Sequence, residues 1–253
     1  MGWRALIASM VAMACAPALA AEPVEVRYEV FWGGFRAAEA RLASMGSEAE
    51  LTARATGLAD SLSAFALEAE AGQGQFQTHA QSKNMESRLA VDFHGQPRTI
   101  RDEIRRTDPD DDEPRQPVPE AMKAGTMDPL TAITSASRRV LAGTKGERFT
   151  LPIFDGRNRY DAAVTIAGPA SQDVSGHRVV GVRAHVQIKP LAGFRPKTKE
   201  MWDGAGFTVL IDPATALPAR ITSDDFAVAT VISAVGVEQL SHAADERRTA
   251  NGG

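Results

Sequence analysis

The sequence predicts a mainly β protein: an antiparallel open barrel or strongly curved sheet with one packed amphipathic helix. Three observations predict it. Apolar and polar residues alternate with period two in segment after segment, glycine-bearing turns separate those segments, and one stretch alone has helical spacing with stop signals at both ends. Period two belongs to strands with one buried and one solvated face, and short turns make successive strands antiparallel. A β sandwich carries the same signals, and period alone does not separate the two architectures.

Residues 1–20 read as a secretory signal peptide, with Arg4 near a positive start, an apolar run from Ala5 to Cys15, and Ala18-Leu19-Ala20 before the cut. The run is too short to span a bilayer, and no later stretch approaches the roughly 20 apolar residues needed. This reading makes the mature protein periplasmic. Cys15 is the only cysteine and falls inside the leader. Ala12-Met13-Ala14 lacks the leucine and small residue that precede a lipidated cysteine, so lipoprotein anchoring is not expected. The mature chain then has no thiol, disulfide or cysteine-bound metal, and an ordinary apolar core must hold it. Basic residues number 28 against 32 acidic ones, without a basic tail or stripe, which argues against nucleic acid as a partner.

Residues 21–240 read as a single β-rich domain. Val24, Val26, Tyr28, Val30 and Trp32 share one face of the first strand, and Gly33-Gly34 supplies the positive φ for a tight reversal into residues 35–42. Residues 49–56 alternate again, 57–65 read as a helical turn, and 67–82 as one bent strand. Residues 88–93 bury Leu89, Val91 and Phe93; after Gly95-Gln96-Pro97 the chain returns with Ile100 and Ile104 inward. Residues 107–119, rich in proline and acids, read as a solvated loop. Asp108, Asp110 and Asp112 have the alternate spacing of a calcium loop, but its glycine and distal glutamate are missing.

The helix follows: Asp128 suits the N-cap, Pro129 the first position, and Gly143 the end, with Leu130, Ile133, Val140 and Leu141 on one stripe. Strands resume at 147–154 and 160–166. The longest, residues 178–188, turns Val180, Val182, Ala184, Val186 and Ile188 inward. A short strand carries Phe207, Val209 and Ile211, and a last hairpin turns at Asp224-Asp225. Residues 241–253 read as a disordered polar tail.

No catalytic constellation emerges. The elbow G-x-S-x-G and the metal motif H-E-x-x-H are absent. The five histidines are scattered; even His177 and His185, eight apart on a strand, stand roughly 26 Å from each other. No phosphate-cradling loop, cofactor fingerprint or metal-ligand set is present. Two features remain. Asp155, Arg157, Arg159 and Asp161 crowd a glycine turn and could clamp an anionic headgroup, although such charges more often pair with each other. Residues 189–194 end the longest strand in an apolar tip. Trp32 and Trp202 could line a cavity or be plain core.

Five segments occur in a familiar order: Tyr-x-Val-x-Trp-Gly-Gly (28–34), Met-Asp-Pro-Leu-Thr-Ala (127–132), Phe-Asp-Gly-Arg-x-Arg-Tyr (154–160), Lys-Pro-Leu (189–191) and Leu-Pro-Ala-Arg-Ile (217–221). The chain resembles the domain-of-unknown-function 3108 family of exported bacterial proteins, over about residues 28–240. Many relatives carry a cysteine before the long strand, where this chain has His177 or Arg178. The resemblance implies an envelope location and a β-rich fold, and it supplies no activity and no catalytic residues.

Three functions are weighed. The first is a non-catalytic binding module for an apolar or lipid-like ligand, with Trp32, Phe194 and Trp202 at the cavity and Arg157 and Arg159 for an anionic headgroup. The second is a structural or assembly factor docking on another envelope protein through residues 189–194 or an edge strand. The third is a hydrolase using Asp155 and Asp161, whose six-residue separation on an extended strand puts them roughly 20 Å apart.

Overall fold

The computed structural model describes residues 23–107, 115–223 and 230–240. Within them the chain forms a thirteen-stranded antiparallel sheet that does not close on itself. The first seven strands are β1 (Val24–Trp32), β2 (Phe35–Met45), β3 (Glu48–Ala55), β4 (Ala66–Gly72), β5 (Gln75–Ser82), β6 (Met85–Asp92) and β7 (Arg98–Arg106). The other six are β8 (Arg148–Phe154), β9 (Arg159–Val174), β10 (His177–Ala192), β11 (Gly206–Asp212), β12 (Leu217–Ser223) and β13 (Thr230–Gln239). Helix α1 (Gly57–Ser63) joins β3 to β4, α2 (Pro129–Ala142) precedes β8, and α3 (Pro196–Trp202) joins β10 to β11.

Strands pair with their sequence neighbours, and β1 also pairs with β13, so β7 and β8 become the two edges. The reason is local. Every other connection within the sheet is short enough to hold neighbours together, whereas some forty residues separate β7 from β8 and include α2. The seam between the edges is bridged by side chains and a turn instead of a ladder. Met127 forms a parallel bridge to Ile153 on the free side of β8. The turn after β8 reaches across to the other edge: Thr99 Oγ1 donates to Gly156 O at 2.7 Å, and Arg157 pairs with Asp102 of β7 at 2.6 Å.

Gly33 and Gly34 take φ of 57° and 84° in the predicted two-residue turn. Val24, Val26 and Tyr28 are buried as the alternation requires. The expected bent strand at 67–82 is two strands, β4 and β5, reversing at Gln73-Gly74 with both residues at positive φ. Gln is a poor signal for that conformation, so the turn was hidden. Ile100 and Ile104 were expected inward and are instead 54% and 38% exposed. Ile100 is the extra residue of a bulge opposite Ala90 and Val91, which resets the parity of β7, and β7 is an edge strand. Val180 is 67% exposed because β10 overshoots β11, whose pairing begins only at Val182. The predicted acidic loop, the Asp224-Asp225 turn, the leader and the tail lie wholly or mostly outside the described residues.

Helix α2 sits in the concavity and touches both halves of the sheet. Asp128 Oδ1 accepts Thr131 N at 2.9 Å, and Pro129 occupies the first turn. Gly143 ends the helix in an extended conformation, so glycine is needed there for space: a Cβ would stand 2.4 Å from Ile166 Cδ1. Leu130 joins a core with Val26, Leu42, Val91, Phe154 and Leu217, while Ala132 and Val140 join a second one with Leu151, Val164, Ile166 and Ile211. Arg138 donates to Gly46 O at 2.7 Å, and Arg139 lies 4.1 Å from the Phe149 ring centroid. The helix is therefore pinned at several points along its length.

Candidate ligand cavity

Between α2 and the inner face of β8–β13 lies a cavity of about 450 Å³. Ligand sites for small molecules typically run about 300–1,000 Å³. Its walls follow from the strand alternation. Leu151 and Ile153 of β8, Ala162 and Val164 of β9, Val186 and Ile188 of β10, and Val209 and Ile211 of β11 point the same way and supply apolar floor. Ala132, Ile133, Ala136 and Val140 of α2 supply the roof. The space exists because small residues face one another: Ala132 and Ala136 on the helix, Ala162 and Ala184 on the sheet. One end is aromatic. Phe194 meets Tyr160 edge-on, with centroids 6.2 Å apart, and Trp202 of α3 lies 6.2 Å from Phe207.

The polar groups in the lining are few: Ser137, Asp155, Asn158, Tyr160 and Thr198. Asp155 is fixed by its own turn, Oδ1 accepting the backbone N–H groups of Arg157 and Asn158 and Oδ2 accepting Asn158 Nδ2 at 2.8 Å. Burial pushes the Tyr160 hydroxyl far above the usual phenol range, and the Asp155 and Asp128 carboxylates add to the effect.

Of the five residues singled out as ligand contacts, the fold brings two to this cavity, Phe194 and Trp202. Trp32 ends β1 at the Gly-Gly turn, 57% exposed and away from the lining. Arg157 turns to the seam, where Nε donates to Asp102 Oδ1 at 2.7 Å and Nη1 to Ser87 Oγ at 2.8 Å. Arg159 is buried and spans Met122 O at 3.0 Å and Asp161 Oδ1 at 2.7 Å. Neither guanidinium lines the cavity. The carboxylates weighed as a hydrolytic pair are likewise engaged, Asp155 in its turn and Asp161 by Arg159. Sequence reasoning missed Tyr160, Asn158 and the alanines. Tyr160 shares the parity of Ala162 and Val164 on β9, but nothing local marks an alanine as the wall of a void.

Among the described residues no group of three or more His, Cys, Asp or Glu side chains could hold a metal ion. Nor is any described helix long and apolar enough to cross a membrane.

The family model for proteins of unknown function DUF3108 matches residues 27–204, well over half of the chain. The chain belongs to the DUF3108 family. A comparison with curated proteins finds no match. Among solved structures, this DUF3108 chain is similar to a β-barrel-like protein of the unknown-function family DUF1849 from Brucella abortus. That pair has a TM-score of 0.51 at 11% identity, covering 87% of this chain and 99% of the other. It is also similar, at TM-score 0.39 and 12% identity, to the hypothetical lipoprotein YmcC from Escherichia coli, over 86% of each chain. At such identities the Brucella likeness shows a shared β-barrel-like fold for the DUF3108 chain and nothing of its activity.

Proposed function

We propose that the protein is an exported, periplasmic binding module that holds an apolar, lipid-like molecule between α2 and the curved sheet. The apolar cavity carries this reading: about 450 Å³ walled by aliphatic side chains from six strands and a helix, with aromatic residues in the lining. Apolar surface left facing water is unfavourable, and covering it with a ligand's methylenes gains about 0.8 kcal/mol for each one buried. The charged motifs that hinted at chemistry are spent on structure, Arg157 at the seam and Arg159 on its neighbours. Export rests on the leader-like first 20 residues.

Native mass spectrometry of protein purified without detergent tests the reading. The expected result is a released organic molecule, or uptake of one equivalent of an added C12–C16 alkyl compound. Protein that stays empty in both experiments overturns it.

A second reading, docking on another envelope protein, is favoured by a separate observation. Trp32, Phe35, Leu58 and Leu62, on the β1–β2 turn and α1, are between 57% and 79% exposed. The tip at residues 189–194 is less suited to docking, because Gly193 is buried against the Arg157 carbonyl and Phe194 packs on Tyr160. In-cell crosslinking from Trp32 or Leu62 positions that captures one dominant protein supports docking, and no captured protein counts against it.

A further inference from the structure

The charge distribution around the cavity is one-sided. Among the described residues no lysine, arginine or histidine lines it, while Asp155 does. Asp128, 6% exposed, sits beside the lining residue Pro129, at the start of the helix that roofs the cavity. Arg195, Lys197 and Lys199 flank the lining residues Phe194 and Thr198 without lining the cavity themselves, and three further cations serve partners of their own. Arg157 serves Asp102 and Ser87, Arg159 serves Met122 O, Tyr160 O and Asp161, and Arg139 lies over Phe149 beside Glu147. Burial first, and then the Arg157 and Arg195 charges, lower the Arg115 guanidinium's pKa against the pull of Asp155 and Asp102, and Arg115 lies outside the lining.

Tyr160, in the lining beside Asn158, reports the consequence. Its hydroxyl resists ionisation because of burial first, and then because of the Asp155 and Asp128 charges. Any other anion placed there meets the same two obstacles, a desolvation penalty that no cation among the described lining residues offsets and repulsion from two carboxylates. A neutral hydroxyl, ester or amide meets neither. Beside Tyr160 it finds Asn158, and elsewhere in the lining Ser137 and Thr198 can also donate or accept a hydrogen bond.

We propose that the cavity selects apolar molecules whose polar end is uncharged, and rejects the same chains ended by a carboxylate or phosphate. This rests on the binding reading above and reverses the anionic-headgroup expectation drawn from Arg157 and Arg159. Selection would come from the missing cation and the two acids, not from shape, so chain length and head charge are separable.

The test compares dodecan-1-ol with dodecanoate as competitors of the neutral fluorophore N-phenyl-1-naphthylamine on the purified mature protein. At pH 8 the alcohol is expected to displace the fluorophore at least tenfold more effectively than the carboxylate. Lowering the pH toward 5 should recover the acid's affinity by about tenfold per unit while it remains mostly ionised, because only its neutral form enters. Asp155→Asn should narrow the alcohol-to-carboxylate ratio several-fold, with the far-UV signal and urea midpoint as the control that the variant is folded. If Asp155→Asn loses alcohol binding as well, the wild-type pH series alone decides. Dodecanoate binding as well as dodecanol at pH 8 overturns charge selection and leaves the binding reading standing. Failure of the fluorophore and of both competitors to bind overturns the binding reading itself.

Discussion

Helix α2 offers a pair of substitutions that separates what holds the fold from what holds a ligand. Leu130 is 2% exposed and belongs to the first core, beside Phe154 and Leu217, and it does not line the cavity. Ile133, one turn on, is 36% exposed and does line it. Leu130→Ala removes three carbons' worth of buried apolar volume, about 2.4 kcal/mol at ~0.8 kcal/mol per methylene. The hole left in a core pinned from both sides adds to that, for a total of about 3–4 kcal/mol. In a domain of this size that lowers Tm by roughly 6–16 °C. Ile133→Ala exposes less and lines an existing void, so it should cost about 1 kcal/mol. It should nonetheless weaken retention of an alkyl probe several-fold. Urea titrations with the far-UV signal, run beside fluorophore binding on each variant, read both quantities. Equal destabilisation by the two substitutions, or loss of binding in Leu130→Ala protein that is still folded, would refute the division of labour along the helix.

Three further outcomes are expected. Asp128→Ala removes the carboxylate that accepts Thr131 N and should cost about 1 kcal/mol, read as a shift in the urea midpoint at unchanged slope. Gly193 and Gly34 share a φ of 84°, but only Gly193 meets an obstacle, a Cβ there standing 1.9 Å from Arg157 O. Gly34→Ala should cost about 1–2 kcal/mol for the left-handed backbone, and Gly193→Ala at least about 1 kcal/mol more for the collision; equal costs would remove the close approach at the seam. Finally, burial raises the pKa of both tyrosine hydroxyls, helped by Asp212 at Tyr28 and by Asp155 and Asp128 at Tyr160. The unfolded chain loses those protons near pH 10 while the folded one keeps them. Stability is therefore fully present below about pH 10 and falls above it, by up to about 1.4 kcal/mol per pH unit for each tyrosine. Tyrosinate absorbance at 295 nm should appear only with unfolding, and early ionisation of either ring in folded protein contradicts its burial.

The seam explains how an open sheet of this length keeps an interior. Edge strands invite pairing with other chains unless they are covered or charged. Here β8 is capped by Met127, and β7 carries Arg98, Arg101, Asp102, Glu103, Arg105 and Arg106. The turn after β8 then folds over the inner face of β6 and β7, so that a Cβ on Gly156 would collide with Leu89 and Val91. Only a glycine lets the corner sit that close. The Arg157 contacts with Asp102 and Ser87 hold it there.

What the sequence determined by itself is what depends on near neighbours. Alternation in β1 assigned Val24, Val26 and Tyr28 to the core, Gly33-Gly34 specified the first hairpin, and Asp128-Pro129 specified where α2 begins. These follow from backbone sterics and a period of two or 3.6, which a few residues suffice to express. The tertiary structure alone decided the rest. A bulge at Ile100 resets parity without any residue that announces it, and Trp32, on the correct face by parity, runs past the core into solvent. Arg157 looked available for a ligand because its partners, Asp102 and Ser87, lie 55 and 70 residues away along the chain. The cavity is the clearest case. Its walls are alanines and larger aliphatic residues indistinguishable in sequence from packed core, and whether facing side chains meet or leave a gap depends on how far α2 stands from the sheet. That distance is set by long-range contacts such as Leu130 in the first core and Arg138 on Gly46, which no local pattern encodes.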